Sequence, residues 1–172
     1  MLSELAFRAQ LVIREQRDLY DYWCRCAGGR SLPARGDIDP SAFSNLLPFI
    51  CLIDIDMDLD NAVVRLAGTR IKDIYGFEIT GKTLGEFEWG DKADYWQAVY
   101  SRVIGKRAPL QGAIKGPIVD RDHITLFWLR LPLSDDGERV NKILCLDTPV
   151  PFCPAGANED SEIRSVSRGL TG

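Results

Sequence analysis

The chain has 172 residues, 45% hydrophobic and 27% charged, enough for one packed core without metal or disulfide staples. Its formal net charge of -4 offers no basic excess for nucleic acid or anionic lipid. No run is long and apolar enough to span a bilayer, and an odd set of 5 cysteines without a secretory signal predicts free thiols in a reducing cytoplasm.

Residues Leu2 to Ala27 predict one amphipathic helix, with Leu2, Leu5, Val12, Leu19 and Trp23 among an apolar stripe at three- and four-residue steps. Gly28-Gly29 ends it. The stripe fits two arrangements: docking on the chain's own domain, or packing against a partner. A Pro- and Gly-bearing linker follows, in which Arg30, Arg35, Asp37 and Asp39 form a polar cluster suited to capping and ion pairs. Asp39 then reads as an N-cap before Pro40, opening a short helix that Pro48 closes.

Phe49 to Ile55 and Ala62 to Ala67 are two strands joined by a polar connection of hairpin length. After Gly68 the period becomes helical, with Ile71, Ile74 and Tyr75 on one side and Gly76 as the terminator. Thr83 to Phe87 is a helical turn. Asp91 is the expected N-cap of a longer helix carrying Trp96, Val99, Tyr100 and Val103, with Gly105 as its stop. Three strands follow: an irregular one from Pro109 to Val119, one from His123 to Leu133, and one from Val140 to Asp147. Ser134-Asp135-Asp136-Gly137 is a hairpin signal between the last two. Beyond Thr148 the composition is that of a solvated tail. Hairpin, short helices and returning strands predict an α+β domain with a five-stranded antiparallel sheet.

The chemistry offered is sparse. His123 is the single histidine, so neither a His-rich metal site nor a Ser-His-Asp set is expected. Cys51 and Cys145 read as packed, inert thiols. Arg65 and Thr69 flank the bend from strand to helix; Arg65 is expected to pair with Glu78, or else to hold an anionic ligand group. Asp54, Asp56, Asp120 and Asp122 would be the acids of a small α+β enzyme, but no base or nucleophile accompanies them.

An ordered set of pieces carries a family resemblance: Tyr22-Trp23, Gly28-Gly29-Arg30, Leu32-Pro33-Ala34-Arg35, Asp37-Ile38-Asp39-Pro40, Leu46-Leu47-Pro48, Arg65-Leu66-Ala67-Gly68-Thr69, Tyr75-Gly76 and Glu78-Ile79-Thr80-Gly81-Lys82. From about Tyr20 to Leu146 the chain resembles PAS domains, and among them short bacterial single-domain PAS proteins. The resemblance implies that the first and last strands lie side by side in mid-sheet, and that short helices wall off a cavity. It implies sensing and transmission rather than catalysis, and flanking helices that meet a partner. Flavin photosensors of this kind carry a Gly-Arg-Asn-Cys-type motif on the central helix; Ile71 to Gly76 has no Cys, so no photoadduct flavin is expected. Haem is not expected either, since His123 opens a strand.

The expected organisation is an N-terminal helix over residues 1–29, a PAS-like domain over 30–148 and a flexible C-terminal tail over 149–172. The expected function is that of a stand-alone, non-catalytic regulatory module that signals in trans, with no cofactor, metal, nucleic acid or membrane partner. A homodimer through Leu5, Val12, Leu19 and Trp23 is expected, with a small ligand between the sheet and Ile71 to Phe87, near Arg65, Thr69, Tyr75, Phe77 and Phe127. The alternatives are the small carboxylate enzyme and a ligand-free scaffold.

Overall fold

The structure, a computed structural model, describes residues 2–150. The expected N-terminal helix is two: α1 over Leu2–Gln10 and α2 over Arg14–Ala27. Ile13 between them is extended, at φ -108 and ψ 155. Side chains of α2 hold the break open. Gln16 Oε1 accepts from the Val12 N–H at 3.2 Å, and the Arg17 guanidinium donates to the carbonyls of Leu11 and Val12. These bonds serve backbone groups that a continuous helix would have paired internally. α2 ends at Gly28, in the left-handed region, as expected.

Asp39 caps the next segment, accepting from the Ser41 N–H at 3.0 Å, but Pro40–Phe49 is 3-10 rather than α. The sheet then begins with β1 (Ile50–Asp54) and β2 (Val63–Ala67). α3 is the single turn Ile71–Tyr75, and Gly76 ends it at φ 88. Thr83 and Glu86 form a capping box around the 3-10 turn Leu84–Glu86. α4 spans Ala93–Lys106. Its start lies beyond Asp91, which sits in a preceding 3-10 turn, and it runs through Gly105 to end at Arg107, with φ 51. Gly105 is not among the glycines with positive φ, and the left-handed residue that ends the helix is Arg107.

β3 (Leu110–Lys115), β4 (Thr125–Leu133) and β5 (Lys142–Val150) complete an antiparallel sheet in the order β2-β1-β5-β4-β3. β1 and β5 are central, as expected. β3 stops short of Val119 because Gly116, at φ 66, turns the chain ahead of Pro117. β5 continues through Thr148, Pro149 and Val150, so the domain extends past the expected tail boundary; the rest of that tail lies outside the described residues.

The register sorts the sheet into two faces. Cys51, Ile53, Trp128, Arg130, Cys145 and Asp147 share one, and Ile50, Leu52, Leu129, Leu131, Leu144 and Leu146 the other. The first face meets α4, where Trp96 and Trp128 rings stand 5.6 Å apart. The second meets α2 and the Pro40–Phe49 segment, joined by the Tyr22 and Phe43 rings at 5.4 Å.

Half of the expected dimer stripe is therefore spent inside the chain. Leu19 and Trp23 are 1% and 5% exposed, and the Trp23 indole N–H donates to the Pro132 carbonyl of β4 at 2.9 Å. Burying one such side chain is worth ~1.5–3 kcal/mol. Leu5 and Val12 remain outside, 63% and 56% exposed.

Candidate functional site

Two backbone bonds fix the bend into α3: Gly68 N–H to the Ile50 carbonyl at 2.7 Å and Arg70 N–H to the Pro48 carbonyl at 2.9 Å. A Cβ at position 68 would collide with the carbonyls of Leu47 and Pro48, so this close crossing requires glycine. At its other end α3 leaves carbonyls unpaired. Arg121, in the loop between β3 and β4, donates to two of them, Asp73 at 2.6 Å and Ile74 at 3.2 Å. The loop is thereby pinned across the end of α3. Between them lies a cleft of about 430 Å³, lined by Tyr75, Phe77, Lys82, Glu86, Ile118 and Arg121 among others. It lies against the segment where the sequence places a cavity, but its far wall is the loop Ile118 to Arg121 between β3 and β4 rather than the late strands themselves.

Behind the cleft lies a buried polar cluster. The buried Tyr75 hydroxyl donates to Asp147 Oδ2 at 2.9 Å, and Arg130 Nη1 donates to Asp147 Oδ1 at 2.7 Å. Both members of the ion pair are 1% exposed. The guanidinium carbon lies 5.1 Å from the Trp96 ring centre and 5.6 Å from those of Tyr100 and Trp128, an aromatic cage suited to a cation. Burial is the largest single influence and opposes the charge on Arg130, but Asp147 together with Cys145, Tyr100 and Tyr75 outweighs it, and the guanidinium is held ionised well above its usual range. Burial also pushes the Tyr75 hydroxyl well up, so it stays protonated and able to donate. The Arg130 Nε has no hydrogen-bond partner among the described residues. Trp96 and Trp128 are themselves tied down, by Pro117 O at 2.7 Å and the Tyr95 hydroxyl at 2.8 Å.

The five expected ligand residues do not converge. Tyr75 and Phe77 line the cleft, with Phe77 edge-on to Phe87 at 5.4 Å. Phe127 is half-buried on the opposite face of the sheet from Tyr75 and Asp147. Thr69 lines a separate groove on that opposite face. Arg65 is exposed and pairs with Asp54 at 2.6 Å rather than with Glu78. The cause is a bulge: Leu52 pairs with Leu66 and Ile53 with Val64, so Arg65 is the extra residue on β2. Glu78 instead accepts from the N–H and hydroxyl of Thr80. His123 lies in an exposed turn ahead of β4, not in the strand. No group of three or more potential metal ligands occurs among the described residues.

Arg130 and Asp147 escaped the reading of the sequence as functional residues. The available signal was an arginine within the apolar strand positions Ile124, Leu126 and Trp128, and an acid closing an apolar run.

A protein-family model described as a PAS domain matches residues 12–146. No curated protein matches the chain at a significant level. Among solved structures, a LOV protein from Rhodobacter sphaeroides aligns with 16% identity and a TM-score of 0.48, over 66% of this chain and 69% of that one. The LOV domain of a blue-light activated histidine kinase from Erythrobacter litoralis aligns with 14% identity and a TM-score of 0.47, over 60% and 97%. A PAS domain of a protein from Colwellia psychrerythraea aligns with 13% identity and a TM-score of 0.47, over 64% and 93%.

Proposed function

The chain belongs to the PAS domain family, a family of sensory and regulatory domains, and on that premise we propose that it is a non-catalytic regulatory module that works through protein contacts of its N-terminal helices. A small molecule entering the cleft beside Tyr75 and Phe77 is the signal. The observation that carries this reading is a continuous chain of contacts. Tyr75, at the cleft, holds Asp147; Asp147 holds Arg130 on β4; and the carbonyls of β4 at Trp128 and Pro132 hold Gln16 and Trp23 of α2. A ligand that moves Tyr75 changes what Asp147 can accept, and the strand affected is the one on which α2 rests. Binding shifts the equilibrium only as far as it discriminates between the two arrangements.

α1 is the contact surface in this reading. Tyr20 and Asp21 of α2 hold it, through the Phe7–Tyr20 rings at 4.9 Å and a two-pronged Arg8–Asp21 ion pair. Leu2 and Leu5 face outward from it, and Val12 is exposed in the break that follows. A second copy of the chain meets this surface across a two-fold axis. A signalling protein acting in trans uses the same helices.

The acids support binding rather than catalysis. Asp54 is engaged by Arg65 at 2.6 Å and Lys142 at 2.8 Å, and Asp56 stands in an exposed loop. No helix among the described residues is long and apolar enough to cross a membrane.

Hydrogen exchange tests the coupling. Tyr75→Phe removes one hydroxyl from Asp147 while keeping the ring, and the expected result is faster exchange of amides in α2 and β4. Exchange confined to α3 and its neighbours would break the link between cleft and helix.

A further inference from the structure

The outer face of the sheet carries a second recess that neither the Tyr75 cleft nor the α1 surface uses. It is a groove of about 450 Å³, within the roughly 300–1,000 Å³ of small-ligand sites. Its walls and floor include Phe43, Leu47, Ile50, Leu52, Leu66 and Leu144. Its polar side chains are few: Arg35, Ser44 and Thr69. Among the described residues no carboxylate lines it, although the protein is acidic overall. The Tyr75 cleft differs, with Glu86, Glu88 and Asp120 among its lining.

Arg35 is placed as an anchor. Its backbone N–H is fixed by Asp135 at 3.0 Å, and one guanidinium nitrogen donates to the Ile38 carbonyl at 3.1 Å. The described hydrogen bonds use that single side-chain donor nitrogen, and Arg35 belongs to none of the described ion pairs. A guanidinium carries five N–H groups in a fork that fits a carboxylate. The hydroxyls of Ser44 and Thr69 make no described hydrogen bond with protein. The site therefore pairs an apolar trough with a cation and two hydroxyls.

The edge of β2 argues against an added strand as occupant. Val64, two residues from Leu66, already exchanges backbone bonds with Lys82 and Gly81 at 2.9 and 2.8 Å. We propose that the groove binds a small amphipathic carboxylate, its hydrocarbon chain against Ile50, Leu52 and Leu144 and its head on Arg35. The site is independent of the Tyr75 cleft and stands or falls separately from it.

Sodium decanoate, with decanol as the uncharged control, tests this by NMR titration of the full chain. Decanoate is expected to bind saturably and to shift the signals of Ile50, Leu52, Leu66 and Leu144. Arg35→Gln should weaken decanoate by about ten- to a hundredfold, the value of a charge-assisted hydrogen bond, and leave decanol unchanged. Leu66→Trp, at a side chain already 47% exposed, should block both probes without lowering the melting temperature. Shifts centred on the Tyr75 cleft or on α1, no saturation, or equal decanoate binding in Arg35→Gln would each overturn the assignment. So would failure of decanoate alongside groove binding by a peptide C-terminus, which would make the occupant a protein.

Discussion

Arg130 and Asp147 form an ion pair across neighbouring strands, 2.7 Å apart, with each side chain 1% exposed. Removing one partner leaves the other's charge buried and uncompensated. Asp147→Asn, which leaves the caged guanidinium without its counter-ion, is expected to cost about 3–5 kcal/mol in urea unfolding. Replacing both together, Arg130→Met with Asp147→Leu, should recover much of that, because the Trp96, Tyr100 and Trp128 rings accept an apolar chain as readily as a cation. A single Asp147→Asn effect of about 1 kcal/mol, the level of an exposed pair, would contradict this account.

Acid should loosen the hairpin between β4 and β5. Asp136 accepts from the N–H groups of Arg139 and Glu138 at 2.8 Å and from the Ser134 hydroxyl at 3.0 Å, and these bonds hold its carboxyl down at about 2. A carboxyl lowered on folding adds stability above its unfolded value, near 3.9, and loses it as the pH falls towards the folded one. Melting temperature should therefore decline between about pH 5 and pH 2. Asp136→Asn should flatten that decline. An unaltered acid limb in the variant would move the effect to other carboxylates.

The paired cysteines should stay silent in the native state. Cys51 and Cys145 face each other across β1 and β5, both buried and both free. Burial pushes the Cys145 thiol up to about 12 and the Cys51 thiol well up. Alkylation near about pH 8, close to the ordinary thiol value, should leave both unmodified by peptide mapping and label both after denaturation. Rapid native labelling of either would mean that the central strands open.

The sheet was legible because its signal is local and periodic. Alternation marks β4, and Ser134-Asp135-Asp136-Gly137 marks its turn, in any context. The break in the N-terminal helix was not legible. Val12 and Leu19 fall at helical spacing on the apolar stripe, yet the break buries Leu11 and leaves Val12 exposed, and it depends on Gln16 and Arg17 reaching back to the main chain. Arg65 was misassigned for a similar reason: a bulge on β2 leaves no mark in a pattern of alternating side chains. The Arg130–Asp147 pair is non-local. Each residue alone reads as an exception on its strand, and only the register that sets Arg130 beside Cys145 brings Asp147 within reach.

The outward side of α1 gives the last prediction. None of its residues is buried: Leu2 and Leu5 are 86% and 63% exposed, and Val12, in the break just beyond it, is 56% exposed. A loose helix would spread such side chains over many orientations. This one is clamped, since Arg8 grips both oxygens of Asp21 and Phe7 rests on Tyr20. Fixed apolar side chains on an outer helix suit a partner that supplies the same surface in return. A stable two-fold contact buries roughly 1,200–2,000 Å² in all, so α1 must be joined by neighbouring surface from each copy. Leu5→Glu with Val12→Glu places two like charges in that contact from each copy. Light scattering should show a dimer for the parent and a monomer for the variant, with unchanged circular dichroism, because neither residue supports the core. Removing residues through Ala27 is a different perturbation: it strips Leu19 and Trp23 from the sheet, and the remainder should not fold. Parent protein that stays monomeric at millimolar concentration would eliminate the dimer and leave α1 to a partner of another kind.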